Sequence, residues 1–366
     1  MTQSINDYLR DAFISRGTRM TRVERKLMNE AAAMLQSLSD EIASLLAGVQ
    51  WETGDTYARL NRLERLKSKV DSLIQGTYTD LQDTTDENVV SLLNSEVEWL
   101  ADTMNGALGI EIFDISLNKQ LIKSLAGDVM IQGAPSSAWW ERQRRDLVHN
   151  FMVEMRLGIM QGESLNDMVR RVRGTRESGF TDGIMSTATR NAEALVRTSA
   201  MTVLNDARME GYNQNTNLIR GYQSVSTLDL RTTPICRAYD GATYDMEFNP
   251  VADTKLPYLA TPRHWNCRSL HIPLLYSWKE LADLYGGNTK LGRKLDKMPK
   301  STRSSMDGQV PETMTYEQWL TKKNETDPDG VREMLGEQRY NLWLSGDVSL
   351  VDMINSRGDL IPIDEL

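Results

Sequence analysis

The chain has 366 residues, 40% of them hydrophobic and 25% charged, which is the makeup of a soluble globular protein long enough for two or three cores. Lys and Arg number 42 against 51 Asp and Glu, a formal net charge of −9 that argues against a surface wrapped throughout in nucleic acid. Two cysteines exclude a disulfide framework. Residues 1–10 lack the apolar core of a secretory signal, and no apolar run approaches the ~20 residues that span a bilayer, so a soluble product made in a reducing cytoplasm, without a membrane partner, is expected.

From Thr18 onward the pattern is helical. Met20, Val23, Leu27, Ala31, Met34, Leu38, Ile42, Leu45 and Val49 recur in steps of three and four, which keeps them on one face of a helix. A second stripe runs through Tyr57, Leu60, Leu63, Leu66, Val70 and Leu73 and is expected to close near Gly76. Thr84-Thr-Asp-Glu87 has the form of a capping box opening a third stripe through Val89, Leu93, Val97, Leu100 and Met104. Three long antiparallel helices are thus predicted, with a shorter fourth through Leu117, Leu121, Leu125 and Val129. Their stripes read as the bundle's own core, or in part as a face that docks on a partner.

After Gly133-Ala-Pro-Ser-Ser come helical stretches from Trp139 through Met155 and from Met168 to Arg173, the latter capped by Ser164 and stopped at Gly174, and another from Ala188 to Asn213. Beyond Gly221 the pattern changes. Tyr222–Leu228 alternates and is rich in β-formers, Asp240-Gly241 is a hairpin signal, and Leu270–Ile272 suits a closing strand. A helix over Trp278–Tyr285, a polar basic linker over Lys290–Arg303, a capping box at Thr315–Gln318 and an Asp327-Pro328 helix start follow, with Leu350–Leu366 as a docked or trailing tail. The expected fold is mainly α, α+β overall. A long-helix bundle covers 1–132, a second helical part 133–220, a small β-rich element 221–285, and a basic linker with a helical tail 286–366.

The β-rich element is too small to bury much core alone, so it must lean on helices or be pinned by its side chains. Cys236, His264, Cys267 and His271 form the one convincing set of metal ligands, since His-x-x-Cys-x-x-x-His folds compactly around a tetrahedral ion. Three readings stay open: structural zinc, a Cys236–Cys267 contact (reduced or oxidised) with His264 hydrogen-bonded nearby, or unrelated burial. If Leu270 and Ile272 point inward on a strand, His271 points away and the fourth ligand is lost. Asp229 and Arg231 are expected to pair and fasten the loop ahead of Cys236. The alternative, a catalytic Asp229 with His264 as acid or base, lacks a nucleophile or phosphate loop, and no phosphate-binding, hydrolase-elbow or zinc-protease motif occurs anywhere. Lys290, Arg293, Lys294, Lys297, Lys300 and Arg303 are the better candidates for sequence-independent contact with nucleic acid or an acidic surface. The arginine runs on the helices read as solvated faces.

Three separated stretches resemble the phage minor head, or head morphogenesis, proteins related to the F protein of phage Mu. One is Val196-Arg197-Thr198 with Leu204-Asn205-Asp-Ala-Arg208 and Tyr212. Another is Leu228-Asp229-Leu-Arg231-Thr232 with Cys236, Asp240-Gly241 and Pro262-Arg-His264-Trp-Asn-Cys267-Arg268. The third runs from Arg303-Ser-Ser-Met306 through Tyr316-Glu-Gln-Trp319-Leu320 to Asp364-Glu365-Leu366. The resemblance covers about residue 185 to the end, with the tryptophan-bearing helices from Trp139 fitting more loosely. It implies a non-enzymatic virion structural protein, in several copies at the portal vertex inside the capsid after assembly in the host cytoplasm. Portal and other head proteins would be its partners, and packaged DNA a further one, with roles in head assembly, packaging and ejection. The motif residues are then fold determinants. The alternative from another class is a metal-dependent enzyme acting on nucleic acid, whose signature would be extra acidic or His ligands beside Cys236 and His264.

Overall fold

The computed structural model describes residues 5–51, 55–109, 111–276, 280, 302–311, 314–355 and 357–366. The chain is mainly α with small antiparallel sheets. It divides into two compact units, one formed by Met1–Met20, Asn94–Leu117 and Leu204–Leu366, the other by Thr21–Leu93 and Asn118–Val203. Three helices, α1 (Ile5–Ala47), α2 (Thr56–Leu108) and α6 (Ile184–Asn213), supply residues to both.

Two helices stand where three were expected. Gly76 and Thr84–Glu87 lie inside the 53-residue α2. The reason is that the buried stripe never lapses: Val70, Ile74, Tyr78, Leu81, Thr85 and Val89 continue the steps of three and four. Thr85, expected at a cap, instead donates its hydroxyl to Leu81 O at 2.6 Å within the helix. Helix α1 also begins earlier than Thr18, because Ile5, Leu9 and Phe13 extend its apolar face.

The unit holding residues 21–93 and 118–203 is helical apart from one short hairpin, β1 (Met130–Ile131) with β2 (Ala134–Pro135). Helices α3 (Lys119–Ala126), α4 (Ser136–Met160) and α5 (Leu165–Arg173) complete it. Leu35, Leu38 and Ile42 from α1, Leu63 and Val70 from α2, Phe151 and Met155 from α4, Val172 from α5 and Leu195 from α6 are all buried. Tyr78 and Trp140 meet edge-on at 6.2 Å. The predicted punctuation holds: Ser164 accepts from the Asp167 amide, and Gly174 ends α5 at φ +89°.

The other unit is built on a four-stranded antiparallel sheet in the order β5 (Pro250–Val251), β4 (Thr243–Asp245), β3 (Ile219–Val225), β6 (Leu270–Leu275). Gly221 on β3 has to be glycine, since a Cβ there would lie 2.1 Å from Tyr244 O. Leu9 and Phe13 of α1, Leu100 and Met104 of α2, Tyr212 of α6, and Tyr222, Tyr244 and Ile272 of the sheet form one core. Asn6 on α1 donates to Leu275 O and accepts from Leu275 N, tying the helix to β6. Glu96 is fully buried in this unit between two guanidinium groups, Arg208 Nε at 2.7 Å and Arg16 Nε at 2.9 Å.

A second cluster in the same unit gathers Leu228, Tyr316, Trp319, Leu320, Val331, Tyr340 and Met353. It is formed by the helices Tyr316–Thr326, Pro328–Leu335 and Glu337–Ser345, opened by the Thr315 capping box and the Asp327 cap. A hairpin of β7 (Thr302–Ser305) and β8 (Gly308–Pro311) bridges from Ser305 to Leu228, so Arg303 lies within a paired strand, opposite Val310, and not at the end of a linker. The helix expected over Trp278–Tyr285, Glu280 apart, and Lys290, Arg293, Lys294, Lys297 and Lys300 lie outside the described residues.

Candidate functional site

A loop, a five-residue helix and a second loop bring the cysteines and His264 together. The loop after β3 is closed on itself: Thr232 Oγ1 donates to Thr227 O at 2.5 Å and lies 3.1 Å from Asp229 Oδ1. Thr233 precedes α7 (Pro234–Ala238), with Pro234 at the first helical position, where a missing N–H costs nothing. Helix α7 puts Cys236 into the interior. The return loop, which includes a cis Thr261–Pro262 bond and Asn266 at φ +61°, puts His264 and Cys267 opposite it.

The resulting donor set is compact. Cys236 Sγ is 3.7 Å from Cys267 Sγ and 3.2 Å from His264 Nε2, and the three ligand atoms lie within 4.8 Å of one another. Both thiols are free and buried. His264 Nδ1 is 2.8 Å from Trp265 O, a contact that requires an N–H there and leaves Nε2 facing the sulfurs, with Thr233 Oγ1 2.8 Å from it. Ser226 Oγ donates to Cys236 O at 2.7 Å and meets Ser269 Oγ at 3.0 Å beneath the pair.

The two thiols are electrostatically unequal. The Cys267 S–H bonding to Cys236 pulls the Cys236 thiol pKa well down against burial, helped by His264 and Arg263, while the same bond and burial push Cys267 up. Burial works against a charged His264, yet the Cys236 sulfur beside it raises its pKa.

His271 is not part of this cluster. Strand β6 is buried on both faces, so His271 points away from the Leu270–Ile272 side into a different interior, its Nδ1 3.3 Å from Thr261 Oγ1 and its ring stacked on Tyr258 at 5.1 Å. Burial, then the Arg263 charge, drives its pKa far down. The expected Asp229–Arg231 fastener is also corrected. Arg268 holds Asp229 in a two-pronged pair at 2.6 and 2.8 Å, whereas Arg231 gives the carboxylate its backbone amide at 3.1 Å and leaves its guanidinium 3.9 Å away, the side chain 86% exposed. Burial opposes charge on Asp229, but Arg268 outweighs it and keeps the carboxyl below its ordinary range.

Asp240-Gly241 is not the tip of a hairpin between two strands. It is the turn from α7 into β4, with Gly241 at φ +85°. The Asp240 carboxylate accepts from the Ser226 amide at 2.7 Å and from the Tyr316 amide at 2.8 Å, joining the loop to the start of the helix Tyr316–Thr326. Tyr316 also donates its hydroxyl to Asp229 O at 2.8 Å. Pro262 forms the cis bond already noted. Arg197 and Thr198 lie on α6 in the other unit, where Arg197 faces buried Glu24 at 3.4 Å and Thr198 donates to Ala194 O.

Several supporting residues were not assigned a role from sequence. Arg263, inside the Pro262–Cys267 stretch, is buried, lies over the Tyr239 ring at 4.5 Å and donates to Ser224 Oγ. Thr233 and Ser226 carry no pattern that would have marked them. A separate cavity of about 490 Å³ is lined in part by Arg237, Asp240, Lys255, Glu317 and Val351, and by none of Cys236, His264 and Cys267.

Together these features define a mainly helical protein in which α7 and the loop before β6 bring together a Cys/His/Cys cluster. Residues 150–272, about a third of the chain, match the family described as Phage Mu protein F like protein, which supports a phage head-related protein. The match holds the first two of the three resembling stretches; the stretch from Arg303 to Leu366 lies beyond it. No curated protein and no solved structure matches the chain. Among the described residues, no helix is long and apolar enough to cross a membrane.

Proposed function

We propose that the protein is a minor head protein of a tailed phage, carried in the virion in several copies at the portal vertex inside the capsid. It acts in head assembly and in DNA packaging and ejection. The observation carrying this reading is the family match over residues 150–272, which takes in the whole Cys236/His264/Cys267 element. One surface feature supports a docking role: Val153, Leu157 and Met160 project at positions i, i+4 and i+7 from α4, and Met160 is 71% exposed.

Co-expression of the full chain with the portal protein of the same phage tests the proposal. Copies of the chain are expected to remain on purified portal rings, and Leu157→Glu with Met160→Glu to reduce their number. Rings that never retain the wild-type chain, together with normal packaging and ejection by heads lacking it, would refute the reading.

A nucleic-acid-cleaving metalloenzyme is the second reading, favoured by three clustered ligand atoms beside a small cavity. The cluster brings no carboxylate to serve as general base. Hydrolysis of phage DNA by the purified chain, lost on His264→Ala, would favour it.

A further inference from the structure

The Cys/His element carries the donor set of a zinc-type cation site. For a tetrahedral zinc ion, bond lengths of about 2.3 Å to sulfur and about 2.0 Å to nitrogen imply edges of about 3.8 Å between sulfurs and about 3.5 Å from sulfur to nitrogen. The two sulfurs stand 3.7 Å apart and the imidazole nitrogen lies 3.2 Å from Cys236, so shifts of a few tenths of an ångström bring these two edges to the expected lengths.

The imidazole is also oriented for coordination. Trp265 O holds the Nδ1 proton, which frees the Nε2 lone pair to bind a metal, as an outer-shell carbonyl does for a metal-bound histidine. The surroundings suit an ion better than bare thiols, since two thiolates and one imidazole around a divalent cation make a neutral group that can be buried. A cavity of about 30 Å³ adjoins Cys236 and His264, lined also by Thr227, Thr232, Thr233 and Asn266. It has room for a water in the fourth position, with threonine hydroxyls to bind it.

We propose that Cys236 Sγ, Cys267 Sγ and His264 Nε2 bind one zinc ion, with a water from the adjoining cavity as fourth ligand and no contribution from His271. Binding releases two protons, leaving both sulfurs as thiolates and the His264 Nε2 lone pair on the ion. The ion completes the internal bracing of an element whose sheet is too small to hold its loops alone. This inference does not depend on portal association and stands or falls separately.

The test uses the full chain, produced in zinc-supplemented medium, kept reduced and desalted. Elemental analysis should give about one zinc per chain. Exchange into cobalt should give the thiolate-to-cobalt band and the strong visible bands of a four-coordinate ion. Cys267→Ser and His264→Ala should each lower zinc content about tenfold or more, and His271→Asn should retain the wild-type content. Wild-type protein that remains folded, carries less than about a tenth of an equivalent of zinc and shows no thiolate–cobalt band would overturn the proposal. Loss of zinc from a folded His271→Asn variant would overturn the ligand assignment.

Discussion

Replacing Glu96 by Gln gives a direct measure of what the buried charge cluster contributes. Glu96 is fully buried, Arg208 is 2% exposed, and Arg16 closes the other side of the carboxylate. Phe13 and Trp99 pack against the Arg208 guanidinium at 5.4 and 5.9 Å, so little water can reach it. The amide keeps the shape of the carboxylate but removes its charge and leaves two cations with none between them. Breaking a buried pair from one side costs about 3–5 kcal/mol, because the remaining charge stays desolvated. At about 2–4 °C per kcal/mol for a unit of this size, the melting temperature should fall by about 6–20 °C. Thermal and urea unfolding followed by circular dichroism would read this, with little change on adding salt since the pair is buried. Glu96→Leu combined with Arg208→Met should recover much of the loss. A fall under about 1 kcal/mol for Glu96→Gln would refute the argument, because it would mean that water already balances both guanidinium groups.

Three further outcomes follow from individual groups. Burial pushes the Asp206 carboxyl up to about 6, so between pH 4 and 6 the native chain keeps a proton that the unfolded chain has released. Stability from this group is therefore fully present below about pH 4 and falls by about 3 kcal/mol as pH rises through 6; Asp206→Asn should be as stable as wild type at pH 4 and more stable at pH 7 in urea titrations. Asp240→Ala should cost about 1–3 kcal/mol by orphaning the Ser226 and Tyr316 amides, seen as faster hydrogen exchange at both positions. Cys267→Ser should speed proteolysis within residues 221–275 by about fivefold or more while the helical circular dichroism of the rest persists, and unchanged protease resistance would show that the sulfurs do not brace the loops.

Local signals were legible where the chemistry is local. Ser164, Thr315, Asp327 and Gly174 each mark a helix end in the sequence and in the structure, because a cap is settled within a few residues. The Thr84–Glu87 box misled for a related reason. A cap is used only where the apolar stripe also stops, and Ile74, Tyr78 and Leu81 carry the stripe across it. Cys236, His264 and Cys267 were recognisable as donors because few side chains bind metals, whereas the exclusion of His271 depended on which side of a strand it faces. Asp229 found Arg268 across 39 residues instead of Arg231 two residues away, since the turn that closes from Asp229 to Thr232 leaves the Arg231 guanidinium in solvent while the fold brings Arg268 into line. The Glu96–Arg208 pair spans 112 residues and leaves no trace in any short window.

The core around Phe13, Tyr212 and Tyr222 is assembled from three stretches separated by long intervals of chain. During synthesis, Leu9 and Phe13 leave the ribosome some two hundred residues before the sheet that covers them, so this core cannot close until late in translation. A fragment trimmed to residues 150–272 would keep Cys236, His264 and Cys267 but lose the α1 and α2 side chains that share a core with Tyr212 and Tyr222, baring those two rings. Work on that core therefore calls for a chain that includes Ile5, Leu9 and Phe13 as well as the sheet.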